Sequence, residues 1–233
     1  MSTLAVITIG QAPRVDVTPE LAAILGEGVR LVEHGALDPL DAGAIAALAP
    51  PAGATEGVLT SRLRDGSHAV FTHAGVEPLL ADAIARGEAD GADATLIICG
   101  SHFPEFPHAR PLFTLEPLAC AAMRGLLSGF PGRRLGVVAP LAEQVDEAVV
   151  RWRDRAGAQV SGTAVASPYT DSVQAIAHAA ASLAASSDLV VLDCAGYGRE
   201  AASAARRACA ESGSPVPVVT VRTLGAHVLA SLL

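Results

Sequence analysis

ATLIICGSHF at residues 94–103 and SDLVVLDCAGY at residues 187–197 read as one unit written twice. In each, a short run rich in β-branched and aliphatic residues ends on a cysteine, and small residues follow: Gly100-Ser101 after Cys99, Ala195-Gly196 after Cys194. Runs this short and this apolar are the pattern of a strand buried on both faces of a parallel sheet. The two cysteines are 95 positions apart. PLFTLEPL (111–118) and PVVTVRTL (217–224) match at proline, threonine and leucine with an offset of 106, and Leu126-Leu127 fall on Leu232-Leu233. LAVITIGQ from residue 4 and LGVVAPLAEQ from residue 135 form a third pair. Buried strands resemble one another everywhere, so it is the matching loop residues that argue for duplication.

Outward from these units, strand-like runs at 4–9, 29–33, 94–99, 111–115, 134–139, 158–164, 188–194 and 216–221 alternate with helical spacing at 17–26, 41–49, 75–90, 116–128, 141–156, 171–186, 199–212 and 223–232. Between residues 58 and 73, Asp65-Gly66 separates two alternating runs, a hairpin signal. The fold class expected is α/β with two pseudo-symmetric subdomains, each a mostly parallel sheet flanked by helices, and a cleft between them. The division expected is residues 1–110, joined by the C-terminal segment 217–233, against 111–216.

The chain has 233 residues, 24 acidic and 16 basic, for a formal charge of −8, and every basic residue is arginine. Without lysine there is no Schiff base to a carbonyl substrate or pyridoxal phosphate, and no P-loop. Arg133, Arg134, Arg151, Arg153 and Arg155 cluster, but interspersed acids and few aromatics argue against nucleic acid as a partner. A positive mean hydropathy of +0.41 owes much to alanine, and no apolar run approaches the roughly 18–20 residues of a spanning helix, so no membrane partner is expected. The N-terminus lacks the features of a signal peptide, and a cytoplasmic location is expected. Four cysteines in such a chain are weighed as core, metal ligand or nucleophile rather than as a disulfide framework.

In an open α/β sheet, ligands bind beyond the carboxyl ends of the strands. Cys99 and Cys194 both stand there, and the backbone N–H groups of Gly100, Ser101, Ala195, Gly196 and Tyr197 could cradle a carboxylate. Two thiols on opposite faces of a substrate are what proton transfer at carbon requires without a cofactor: one sulfur, as thiolate, removes a proton and the other, as thiol, delivers one. Gln11 and Arg14 follow the first strand, and Arg14 is the natural counter-charge for a substrate carboxylate. Thr8 and Gly10 offer a hydroxyl and close backbone approach; His73, Thr114 and Glu116 follow other strands. Free cysteine is among the most buried residue types, so packing is the competing reading for both thiols, and the leading one for Cys120 and Cys209.

ITIGQAPR (7–14) and VVLDCAGYGRE (190–200), together with the cysteine-bearing repeat, resemble the AroM family within the aspartate/glutamate racemase superfamily. The resemblance covers nearly the whole chain. It implies two pseudo-symmetric subdomains with an active site between them, a catalytic cysteine from each half, here Cys99 and Cys194, and the residues after each as the carboxylate cradle. Members of the superfamily include racemases of amino acids and hydantoins, maleate isomerases and arylmalonate decarboxylases, all working without pyridoxal phosphate or metal. Many racemases follow the cysteine with Asn-Thr or Gly-Thr; here Ser101 stands where a threonine hydroxyl is usual and Tyr197 is bulkier than the usual residue. His102 is placed to line the pocket or orient Cys99.

Cys99, His102, His108 and Cys194 could supply four metal ligands, but only Cys99-x-x-His102 has the close spacing of a zinc pair, so no metal is expected. Gly196-x-Gly198-x-x-Ala201 matches a dinucleotide fingerprint, yet the following strand ends without an acidic residue for the ribose, and its glycines fit a tight turn beside Cys194. His178 lies on an alanine-rich helix and reads as packing or surface. Alanine-rich faces of this kind suit a homo-oligomer. The function expected is a cofactor-independent racemase, epimerase or isomerase acting beside the carboxylate of a small acid. The alternatives are a cofactor-free decarboxylase, in which one cysteine protonates an enolate, and a binding or sensing protein that keeps the cleft.

Overall fold

Side chains alternate between two faces of a strand, and here that alternation assigns each strand to two cores. The computed structural model describes residues 2–233. The first sheet is built from β1 (Ser2–Thr8), β2 (Val29–Gly35), β5 (Ala94–Ile97) and β6 (Leu112–Thr114) in the order β2-β1-β5-β6, all parallel. The second uses β7 (Arg134–Ala139), β8 (Gln159–Val165), β9 (Leu189–Leu192) and β10 (Val218–Thr220) in the order β8-β7-β9-β10, again parallel. The two orders are the same, and so is the register: Thr95 pairs with Leu112 as Val190 pairs with Val218, which carries the offsets of 95 and 106 into three dimensions. The expected hairpin is the antiparallel pair β3 (Val58–Arg62) and β4 (His68–Thr72), with Gly66 at φ +93° in the turn.

Among the described residues, eight α-helices accompany the strands: α1 (Thr18–Leu25), α2 (Ala42–Ala46), α3 (His73–Ala89), α4 (Leu115–Leu127), α5 (Val145–Ala156), α6 (Val173–Ala184), α7 (Arg199–Glu211) and α8 (Val221–Ala230). Leu4 and Val6 of β1, Leu96 of β5, Leu135 and Val137 of β7 and Val191 of β9 share one core with buried residues of α1, α4, α5 and α8, such as Leu21, Met123, Trp152 and Leu229. The opposite faces are covered separately. Ala5, Ile7 and Ile97 pack with Leu80 and Ile84 of α3 and Phe71 of the hairpin, and Val138, Val190 and Leu192 pack with α6 and α7. Fully burying each Leu, Ile or Val stabilises by about 1.5–3 kcal/mol, so the central layer ties the two halves into one structure.

The strands draw the division between halves differently from the sequence expectation of 1–110 with 217–233 against 111–216. Strand β6 pairs within the first sheet and β10 within the second, while the helix after each crosses over: α4 packs on α5, and α8 packs on α1. The long-range partners that decide this leave no local mark on residues 111–118 or 217–224. No helix among the described residues is long and apolar enough to cross a membrane.

Candidate active site

Strands β5 and β9 run parallel in equivalent places, so the loops that leave their carboxyl ends face each other. Cys99 and Cys194 line one small cavity, together with Gly100 and Ser101 of the first loop. Each sulfur accepts from the backbone N–H two residues on: Ser101 N–H lies 3.5 Å from Cys99 Sγ and Gly196 N–H 3.4 Å from Cys194 Sγ. Cys194 has a second partner in the Tyr169 hydroxyl at 3.7 Å. Burial pushes the Cys99 thiol up to about 12, against the pull of the Ser101 N–H. Burial also raises Cys194, opposed by the Gly196 N–H, the Tyr169 hydroxyl and the charge of Arg14.

The cavity measures about 20 Å³, room for roughly one water. A ligand with a carbon skeleton would need more room than this. Leu59 and Thr60 of the hairpin form one wall; Gln144, Glu147 and Arg151, at and just before α5, form another. The hairpin is clipped to the other half by Gln144 Nε2, which donates to the Val58 carbonyl at 2.7 Å. Ile9, Pro140 and Asp193 complete the lining. Asp193 is buried and ion-paired with Arg151; burial raises its carboxyl, and the guanidinium opposes that shift. Thr60 Oγ1, Arg151 Nε and Asp193 Oδ1 are buried without a hydrogen-bond partner, all three on residues that line the cavity. A buried donor or acceptor left unpaired costs about 1–3 kcal/mol, which a polar ligand bonding to it recovers.

Arg14 is not at the cavity. Expected to meet a substrate carboxylate, it is instead only 2% exposed and held by Asp16 through two bonds of 2.8 Å, by Thr8 at 2.9 Å and by Ser61 at 3.2 Å. Burial would lower its pKa, but Tyr169 and Asp16 more than offset this and keep the guanidinium charged. Thr8 also accepts from Gly10 N–H. Gly10 lies where a Cβ would come within 2.4 Å of the Arg62 carbonyl, so its close approach is to the hairpin and not to a ligand. Gln11 donates to the Leu37 carbonyl and accepts from Arg64 N–H, another hairpin anchor.

The remaining expected residues lie behind the loops. Ala195 presents its carbonyl to Arg222 Nε at 2.9 Å, and the fully buried Tyr197 donates its hydroxyl to the Ala166 carbonyl. His73 stacks on Phe103 at 4.4 Å and meets the His102 carbonyl at 2.7 Å. His102 points outward to Arg155 and Glu116. Thr114 sits at the start of α4 without a side-chain capping bond, and His108 bonds the Phe106 carbonyl. Cys120 and Cys209 are buried in helices, as packing predicts. Among the described residues, no group of three or more His, Cys, Asp or Glu side chains is disposed to hold a metal ion. Sequence reasoning passed over Thr60, Arg151, Asp193 and Tyr169. Only Asp193 carried a local signal, as a lone charge within a buried strand end beside Cys194.

This architecture has counterparts among solved structures. It aligns with a maleate cis-trans isomerase of Nocardia farcinica, solved with a covalently bound succinylcysteine intermediate, at 15% identity and a TM-score of 0.60, over 99% of this chain and 92% of that one. An unliganded arylmalonate decarboxylase aligns at 15% identity and 0.59, over 99% and 93%. The aspartate racemase of Picrophilus torridus aligns at 13% and 0.58, over 99% and 94%. No curated protein matches the chain in sequence. The chain therefore shares its fold with a decarboxylase, a racemase and a cis-trans isomerase. By sequence it belongs to the AroM family, described as AroM protein, whose match runs over residues 4–233.

Proposed function

We propose that the protein is an isomerase of the racemase or epimerase type, acting without a cofactor at the carbon beside the carboxylate of a small acid. The observation that carries this reading is that Cys99 and Cys194, from equivalent strand ends of the two halves, line the same small cavity. In the reaction, one sulfur as thiolate takes the proton, and the C–H electron pair moves into the neighbouring carboxylate as enolate-like charge. The opposite thiol then gives its proton to the other face. Configuration inverts, and thiol and thiolate have exchanged places. Backbone N–H groups of the two cysteine loops supply fixed dipoles for the developing charge. Arg151 and Thr60, which carry unpaired polar atoms at the cavity, take over the carboxylate-recognition role expected of Arg14.

The test is hydrogen exchange. A panel of small amino, hydroxy and dicarboxylic acids is incubated with the protein in deuterated water, and deuterium at the α-carbon is followed by NMR. Wild type exchanges one member of the panel, and Cys99→Ser or Cys194→Ser lowers the rate by about 100-fold or more, the scale of a lost acid or base. Exchange that survives in the double variant overturns the two-thiol reading. Carbon dioxide release that depends on one thiol alone replaces it with a decarboxylase, and a ligand that raises Tm without turnover replaces it with a binding protein.

A further inference from the structure

The two thiols occupy matching places in a duplicated frame, but their surroundings do not match. Each sulfur accepts one backbone N–H. Only Cys194 also meets a tyrosine hydroxyl, 3.7 Å away. Arg14 Nη2 donates to Tyr169 Oη at 3.4 Å, filling an acceptor position on the oxygen. The neutral thiol and the hydroxyl can each donate to the other, but a Cys194 thiolate only accepts, and the phenolic proton is then the donor. Arg14 is fixed in turn by Asp16, and the Tyr169 ring lies nearly parallel to His68, 12° between planes. Gly196 allows this contact, since a Cβ there would fall 2.8 Å from the Tyr169 hydroxyl.

We propose that Tyr169 is the positioning residue that divides the labour of the two thiols: its hydroxyl, aimed by the Arg14–Asp16 pair of the first half, makes Cys194 the resting base and leaves Cys99 the resting acid. This rests on the two-thiol reading above. The charged and titratable groups around Cys194 come from several elements. Arg14 and Asp16 stand on the loop after β1, Tyr169 on the loop after β8, and Cys99 on the loop after β5; Asp193 and Tyr197 flank the sulfur on its own segment, and Arg151 and Glu147 of α5 line the same cavity. Of these, Asp193 opposes the thiolate at Cys194, whereas Arg14 and the Tyr169 hydroxyl favour it.

The experiment needs no substrate. Iodoacetamide alkylation of each cysteine is followed against pH by mass spectrometry in wild type, Tyr169→Phe and Asp16→Asn. In wild type, Cys194 reacts with a midpoint below that of Cys99. Tyr169→Phe moves the Cys194 midpoint up by about one unit, which is about a tenfold slower reaction below the midpoint, and leaves the Cys99 profile in place. A Cys194 profile that does not move in a folded Tyr169→Phe protein overturns the proposal, as does a wild type in which Cys99 reacts at the lower pH. Should Tyr169→Phe fail to fold, the ultraviolet absorbance of thiolate is titrated in Cys99→Ser and Cys194→Ser: the former ionises at lower pH if the assignment holds, and the reverse order overturns it. Because alkylation is read without turnover, this assignment can fail while exchange still depends on both thiols, and hold where exchange does not.

Discussion

Glu116 and Arg222 occupy the same place in the two halves, the second residue of α4 and of α8, yet they carry opposite charge. Each forms an ion pair to the helix its own helix crosses: Glu116 accepts from Arg155 of α5 at 2.9 Å, and Arg222 donates to Glu20 of α1 at 2.9 Å. Each also steadies a cysteine loop, Glu116 by way of Arg155, which donates to His102 Nδ1, and Arg222 through the Ala195 carbonyl. The duplicated backbone has therefore kept one job, fastening a strand-end loop to a crossing helix, and reversed the sign of the groups that do it. The buried cation whose charge reaches Cys194 is Arg14, whereas the one that reaches Cys99 is Arg151. Similar frames thus surround the two thiols with different fields, as the proposed acid and base require.

The largest effect comes from breaking the two ion pairs separately. Arg222 is 1% exposed and also donates to the Asp16 carbonyl, so Arg222→Ala leaves Glu20 and two carbonyl oxygens without their donor. Loss of about 3–5 kcal/mol in denaturant unfolding is expected. Glu116→Gln costs about 1 kcal/mol, because its partner Arg155 is 39% exposed and regains water. Equal costs would show that the two crossings are not fastened in the way described.

Next comes a pH effect that separates the two thiols. Burial raises Cys99 from 9.0 to about 12, so the folded state favours the neutral thiol. The stability this contributes is complete below about pH 9 and is lost as pH rises toward about 12. Between pH 8 and 11, wild type loses about 3 kcal/mol relative to Cys99→Ser. Relative to Cys194→Ser the loss is smaller, since Tyr169, Arg14 and the Gly196 N–H offset burial there. Thermal melts across that range read both differences directly, and a flat difference for Cys99 would remove the argument that it rests as a thiol.

How far these differences could be read beforehand varies with distance along the chain. The strands were legible because buried parallel strands are short apolar runs, and the pairing offsets because LFT and VVT sit in the same register. The cysteines were legible because strand ends are where α/β sheets bind ligands. Arg14 was misplaced because nothing local shows that Asp16, two residues on, takes up its guanidinium. Tyr169 and Arg151 come from a loop and a helix with no motif, and reach the site through the tertiary packing of the two halves. The contrast between Glu116 and Arg222 was present in the quoted repeat as its one charged mismatch, but charge at a helix start is ordinary until its partner across the crossing is known.

The smallest effect tests the loops themselves, where the alignment of halves puts Gly100 opposite Ala195 and Ser101 opposite Gly196. At Gly100 an added Cβ meets Val221 at 3.6 Å, ordinary contact, and the change only makes the first loop like the second. Gly100→Ala is expected to stay within about 0.5 kcal/mol of wild type. At Gly196 the Cβ would lie 2.7 Å from Pro168 and 2.8 Å from Tyr169, with no flexible chain end to give way, so Gly196→Ala costs about 1–2 kcal/mol by overpacking. The clash falls on the ring whose hydroxyl meets Cys194, so the variant also raises the alkylation midpoint of Cys194 while leaving Cys99 unmoved. Ala at both positions with the same small cost and no change at either thiol would mean that the second loop does not hold Tyr169 against Cys194.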